Sequence, residues 1–297
     1  MNIHNEGVIV GGNVGKNAFR GSRINSGNNA ARGEAEPGAT GGPLTDVAVL
    51  TVLPQEARAM IDVFRHARDY RTEKTPTGVV HRAAFDTEGG GRVDAVLAKT
   101  LDRGQRSATA AYANLRRAYR PAVVALVGIA GGIDPKLDIG DVVIANQVVY
   151  YDERRETPDG PVRRGEATML PTAMTAVVND LFTRHNEPFT LPSAGGDGEF
   201  RVMSGTVGSG GAVITDAESE IRSFLQTFNE KCRVVETEAG GLVQAVREDA
   251  TAVTDPVGWL VIRGVSDHAD PAKGHRDHDL AARHAAAAFE KLVPLLK

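Results

Sequence analysis

Apolar residues in this chain fall into short continuous runs separated by stretches of helical period, and the two alternate from Leu44 to the C-terminus. Asp46-Val-Ala-Val-Leu-Thr-Val-Leu53 reads as a buried strand, and Pro54 to His66 as a helix entered through proline. Strands are expected at 81–85 and 93–99, followed by an Ala-rich helix over 107–117. Pro121-Ala-Val-Val-Ala-Leu-Val-Gly-Ile-Ala-Gly-Gly132 is a wholly apolar strand that runs into a glycine turn, and 141–150 is another. Further strands are expected at 201–208, 233–235 and from Trp259, with helices at 174–184, from Asp216, at 238–247 and at 279–296. The polar stretch 153–165, with Pro158-Asp-Gly160 inside it, is expected to be a surface loop. Alternating elements with continuously apolar strands predict an α/β fold, a three-layer sandwich with a mixed central sheet covered on both faces.

Residues 1–43 break that pattern. They are rich in Gly, Asn, Ser and Arg and too poor in apolar residues to fold alone, so the chain divides into a tail, 1–43, and a folded domain, 44–297. At 297 residues and 41% hydrophobic, the chain can bury a core with no need of a disulfide or metal staple. A net charge of -4 argues against general nucleic-acid binding. The single cysteine, Cys232, cannot form an internal disulfide and fits a reducing compartment. No apolar run reaches membrane-spanning length and no charged-then-apolar signal opens the chain, so no membrane partner and a cytoplasmic location are expected.

The chemistry clusters at strand ends. In open α/β sheets ligands bind beyond the carboxyl ends of strands, and four acids fall there: Glu56 after the first strand, Glu236 and Glu238 around 235–239, and Asp267 at the end of Trp259-Leu-Val-Ile-Arg-Gly-Val-Ser-Asp267. If the sheet gathers those ends, the acids converge beside Gly128-Ile-Ala-Gly-Gly132, where a bare backbone lets a ligand approach. Bland roles stay open: Asp267 or Ser266 as a cap, and Glu236 and Glu238 as acids favoured at a helix N-terminus.

Four ordered segments, Val127-Gly-Ile-Ala-Gly-Gly-Ile133, Ile139-Gly-Asp-Val-Val-Ile144, Val235-Glu-Thr-Glu-Ala-Gly-Gly241 and Arg263-Gly-Val-Ser-Asp-His-Ala-Asp270, together resemble the nucleoside phosphorylase and nucleosidase superfamily. The likeness is closest to its methylthioadenosine/S-adenosylhomocysteine nucleosidase branch and covers 46–296. It implies Asp267 as the acid that protonates purine N7, oriented by Ser266. It implies Glu238 on the ribose 2′ and 3′ hydroxyls, with Glu236 and Thr237 in the same signature. Glu56 matches the general base and Arg263 an arginine that helps hold the attacking water. Val213 and Ile214 fall where the base packs, and Tyr150 near the sugar. The family also implies a homo-oligomer and no cofactor.

Breaking a purine N-glycosidic bond builds positive charge on ribose and negative charge on the base, so it needs an acid at one end and an anion at the other. Glu56 would have to stay ionised, which Arg263 favours. A carboxylate after Pro54-Gln55 would repel phosphate and activate water, which favours hydrolysis over phosphorolysis. One departure is Ile129, where hydrolytic relatives often carry a serine touching the water. A nucleotide-binding sensor with a decayed water site is therefore the non-enzyme alternative. Arg103 and Arg106, with Lys273, His275 and Arg276, could reach a 5′ phosphate or be solvated charges. The His and Asp residues at 268–279 lack metal-motif spacing, so no metal is expected. In the tail, Val8-Ile-Val-Gly-Gly-Asn-Val-Gly-Lys-Asn-Ala-Phe19 and Ser22-Arg-Ile-Asn-Ser-Gly-Asn28 resemble the amyloid-like signalling motifs found beside bacterial immune effectors. That likeness implies an immune-receptor partner for an enzyme that depletes adenine nucleotides.

Overall fold

A computed structural model describes residues 44–194, 196, 198–252, 258–271 and 274–297. The tail 1–43, with its motif-like segments, and Lys273 lie outside the described residues.

Continuous apolar runs become the inner strands. β1 (Thr45–Thr51), β5 (Pro121–Gly132), β6 (Val142–Tyr150) and β13 (Gly258–Asp267) are buried along almost their whole length. Each fully buried Leu, Ile or Val contributes about 1.5–3 kcal/mol. Around them lie β2 (Arg68–Thr75), β3 (Gly78–Asp86), β4 (Arg92–Lys99), β9 (Glu166–Met169), β10 (Phe189–Pro192), β11 (Glu199–Ser209) and β12 (Cys232–Glu236). The helices are α1 (Pro54–His66), α2 (Gln105–Tyr119), α3 (Thr172–His185), α4 (Glu220–Phe228), α5 (Ala239–Ala252) and α6 (His278–Leu292). α1 packs on α6, and α2 on α5.

The sheet order β10-β11-β6-β13-β5-β1-β4-β3-β2 mixes parallel and antiparallel pairs. β12 adds a feature that no single segment announces. It pairs in parallel with β11 and antiparallel with β5 through Val234↔Gly132 and Val235↔Gly131. The ladder β5-β13-β6-β11-β12 therefore closes on itself, while β1-β4-β3-β2 remains an open arm. Register shifts in β11 and β13 supply the bends that closure requires. Closure draws the carboxyl ends of β5, β11, β12 and β13 to one place. Gly264 lets α6 lie directly on β13, because a Cβ there would collide with the Ala281 main chain.

Differences from the sequence expectation occur where polar sequence hides regular structure. The stretch expected to be a loop at 153–165 contains a hairpin, β7 (Arg154–Thr157) with β8 (Gly160–Arg163), turning at Pro158-Asp159. β2 is nearly all polar and exposed, and it forms by pairing with β3 rather than by burial. The helix expected from Asp216 starts at Glu220: the Asp216 carboxylate accepts from Glu218 N, and Ser219 Oγ then caps Ile221 N at 3.2 Å.

Candidate active site

Asp267 ends β13 immediately after a bulge. Val265 pairs with Ala130 and Asp267 with Gly131, leaving Ser266 as the extra residue that re-aims the carboxylate. Ser266 Oγ donates to Asp267 Oδ2 at 2.8 Å, and Ala269 N donates to Oδ1 at 2.9 Å. The acid thus braces its own turn, as the bland reading has it, and also lines a cavity.

Glu56 sits in the first turn of α1, buried. Its Oε2 accepts from Val52 N at 2.7 Å and Leu53 N at 2.8 Å, and its Oε1 from Ile129 N at 2.9 Å. These bonds tie the ends of β1 and β5 to one carboxylate. Burial pushes the Glu56 carboxyl above its ordinary value, against the opposing pull of Arg263 and the three peptide donors. The expected influence of Arg263 is therefore present but smaller than the desolvation cost.

Arg263 is fully buried between acids. Its Nη2 bonds Glu236 Oε2 and lies 3.6 Å from Glu238 Oε2. Burial acts to lower its pKa, but Glu236, Glu238 and Glu56 together hold it above the usual arginine value. Its Nε and Nη1 have no hydrogen-bond partner among the described residues. Nη1 and the Glu56 carboxylate both crowd the position that a Cβ on Gly128 would take, so only glycine fits between them.

Glu236 and Glu238 divide the work of the β12–α5 junction. Glu236 accepts from Glu238 N at 3.0 Å and Ala239 N at 2.9 Å, so it serves as the expected helix-terminus acid and as the Arg263 partner at once. Burial pushes its carboxyl up, Arg263 opposes this, and Glu238 adds to it. Glu238 Oε1 accepts from Gly104 N at 2.8 Å and from the Thr237 hydroxyl at 2.6 Å.

These groups meet in one cavity of about 190 Å³. Glu56, Glu236, Thr237, Glu238, Ser266 and Asp267 supply its polar wall. Ile129, Val213, exposed, and Ile214, buried, supply apolar surface, and Arg103 reaches it from the loop before α2. Arg263 stands behind the carboxylates. Two expected residues fall elsewhere: Arg106 is exposed in the first turn of α2, and Tyr150 lines a separate cleft with Gln105 and Gly240.

The residue after it, Tyr151, supports one wall of the cavity from behind. It is wholly buried, and its hydroxyl donates to Ala212 O at 2.9 Å, anchoring the segment that carries Val213 and Ile214. Strand alternation was the available signal, since Val149 and Tyr151 share a face opposite Tyr150. Ser209 and Gln105 were also passed over. Ser209 Oγ accepts from Gln105 Nε2 at 2.9 Å and Gly240 N at 2.8 Å, while Gln105 Oε1 accepts from Gly241 N. His275 and His278 complete the lining. Among the described residues no cluster of three His, Cys, Asp or Glu side chains could hold a metal ion, and no helix is long and apolar enough to cross a membrane.

Residues 46–296 match the family model described as the phosphorylase superfamily. The chain is 27% identical over 256 residues to the ATP nucleosidase Cap17 of Escherichia coli, covering 81% of this chain and 49% of that protein. It therefore spans about half the length of that curated relative. It is also 27% identical over 267 residues to the 5′-methylthioadenosine/S-adenosylhomocysteine nucleosidase of Mycobacterium bovis, covering 84% of this chain and 96% of the other. The fold resembles that of Helicobacter pylori futalosine hydrolase, with a TM-score of 0.64, 16% identity and coverage of 84% and 97%.

Proposed function

Because the chain belongs to the phosphorylase superfamily, we propose that it is a purine nucleosidase that hydrolyses the N-glycosidic bond of an adenine nucleoside or nucleotide. The observation that carries this reading is the Glu56–Arg263 pair. A buried carboxylate with raised basicity stands beside a buried guanidinium whose Nη1 lacks a hydrogen-bond partner among the described residues, an arrangement suited to orienting and deprotonating one water. A phosphate would instead meet the carboxylates of Glu56, Glu236 and Glu238.

In this mechanism Asp267 gives a proton to N7 of the base as the C1′–N9 bond breaks and its electron pair leaves with the base. Glu238 accepts bonds from the 2′ and 3′ hydroxyls and stabilises the positive sugar. Water adds to C1′ and its proton passes to Glu56. The cycle closes when solvent returns that proton to Asp267, so one water is consumed for each free base released. Val213 and Ile214 pack the base, and Tyr151 fixes their segment.

The likeness to an ATP nucleosidase supports adenine nucleotides as substrates; with the motif-like segments of the tail, this is our reading of the protein as an immune effector, a cytoplasmic homo-oligomer that depletes them. In that role the tail 1–43 is a separate module that recruits an immune receptor through stacked Gly/Asn motifs. Deleting 1–43 should leave base release nearly unchanged, while the tail fused to an inert carrier should assemble and Ile9→Asp should prevent it. A tail that stays monomeric when seeded with a matching motif is only a linker.

Chromatography of free adenine from adenosine, methylthioadenosine, adenosylhomocysteine and ATP, with and without phosphate, tests the catalytic reading. Adenine release without a phosphate requirement is expected. Ribose 1-phosphate among the products would make the protein a phosphorylase, and bound nucleotide without base release would make it a sensor.

A further inference from the structure

The cavity wall carries four carboxylates whose tasks in the proposed hydrolysis concern the base, the sugar and the water, and one buried arginine shared among three of them. Its remaining charged or basic side chains are Arg103, His275 and His278, and the hydrolysis as written uses none of them. Arg103 is exposed, and its guanidinium has no ion-pair or hydrogen-bond partner among the described residues. By contrast Arg116, Arg163, Arg201 and Arg233 are each paired with a carboxylate. Arg103 therefore offers the cavity a planar cationic fork that no acid among the described residues already occupies.

Its position in the chain relates it to the sugar. The next residue, Gly104, donates its N–H to Glu238 Oε1 at 2.8 Å, so the Arg103 side chain leaves the main chain one residue from the group assigned to the ribose hydroxyls. With the 2′ and 3′ hydroxyls on Glu238 and the base at Asp267, the 5′ carbon hangs from C4′, beside the 3′ position and across the ring oxygen from the base-bearing C1′. From the other segment, His275 Nδ1 and His278 Nε2 lie 3.3 Å apart, and their rings meet edge to face. The neighbouring Asp279 is engaged by Arg58 at 3.3 Å.

We infer that Arg103, His275 and His278 form a subsite for a 5′-phosphoryl group, so that the substrate is a phosphorylated adenine nucleotide rather than a nucleoside or a 5′-thioether. The guanidinium fork supplies two parallel donors to phosphate oxygens, and His275, whose Nδ1 accepts from His278 Nε2 in one tautomer, then supplies its Nε2–H. This inference rests on the nucleosidase reading for the placing of the sugar.

The test compares kcat/KM for adenine release from ATP, AMP, adenosine and methylthioadenosine in the parent protein and in Arg103→Ala. The parent should prefer ATP or AMP by at least about tenfold. The ratio of kcat/KM for ATP to that for adenosine should fall about 10–100-fold in the variant, mainly through KM. The double variant His275→Asn/His278→Gln should shift the same ratio in the same direction. A parent without preference for phosphorylated substrates, or an Arg103→Ala variant that loses both activities equally, overturns the subsite. If no substrate yields adenine, the catalytic reading falls, and calorimetry with tripolyphosphate still decides the subsite. Binding by the parent that Arg103→Ala weakens supports it; no binding by the parent overturns it.

Discussion

The closed ladder β5-β13-β6-β11-β12 and the open arm β1-β4-β3-β2 belong to one sheet, yet they treat charge in opposite ways. In the ladder, Arg263 and Glu236 have side chains 0% and 2% exposed and are bonded to each other. On the arm, Arg68 and Asp86 pair at 3.0 Å with side chains 73% and 54% exposed. Closure removes water, so the carboxylates are answered by protein: Glu56 by three peptide N–H groups, Glu236 by two and by Arg263, and Asp267 by Ser266 and Ala269. Such carboxylates are oriented before a ligand arrives. The arm leaves that work to solvent, and its ion pairs are correspondingly weak.

The sharpest contrast should come from Asp267→Asn. The side chain keeps its shape but loses the transferable proton, so turnover should fall about 10²- to 10⁴-fold with substrate binding largely retained. Near-normal turnover would remove Asp267 from the mechanism. Next in size is Arg263→Met, which strands the buried Glu236 without its cation. Urea unfolding should register a loss of about 3–5 kcal/mol, and adding Glu236→Gln should restore part of it. Strictly additive losses would show that the pair is not coupled.

A smaller effect is expected in the pH dependence of kcat/KM. Glu56 acts only when ionised, and burial raises its pKa, so activity should fall about tenfold per unit as pH drops through that raised value. An acidic limb at or below the ordinary glutamate value of 4.5 would mean that Arg263 outweighs burial. Glu56→Gln should abolish that limb along with most of the activity. The smallest effect belongs to the arm: Arg68→Ala should change stability by less than about 1 kcal/mol and leave base release alone. A larger loss in either would show that the arm is coupled to the ladder more tightly than its exposure suggests.

The amino-acid sequence by itself determined the alternation of elements, because each buried strand or amphipathic helix carries its own apolar period. The helix at 54–66 was legible to the residue for that reason, and so was the start of the strand at 121, but the glycine turn expected at 128–132 is the last stretch of β5, held extended by its pairs with β13 and β12. It also marked Glu56, Glu236, Glu238 and Asp267, since acids at strand ends stand out against apolar runs. Only the tertiary structure decided that β12 bridges β5 and β11, because pairs such as Val235↔Gly131 join segments far apart in the chain whose local patterns say nothing of each other. That closure enclosed Arg263 among three carboxylates and raised the Glu56 pKa. Each of these depends on how much water is excluded, which is a property of the assembled sheet and of no segment within it.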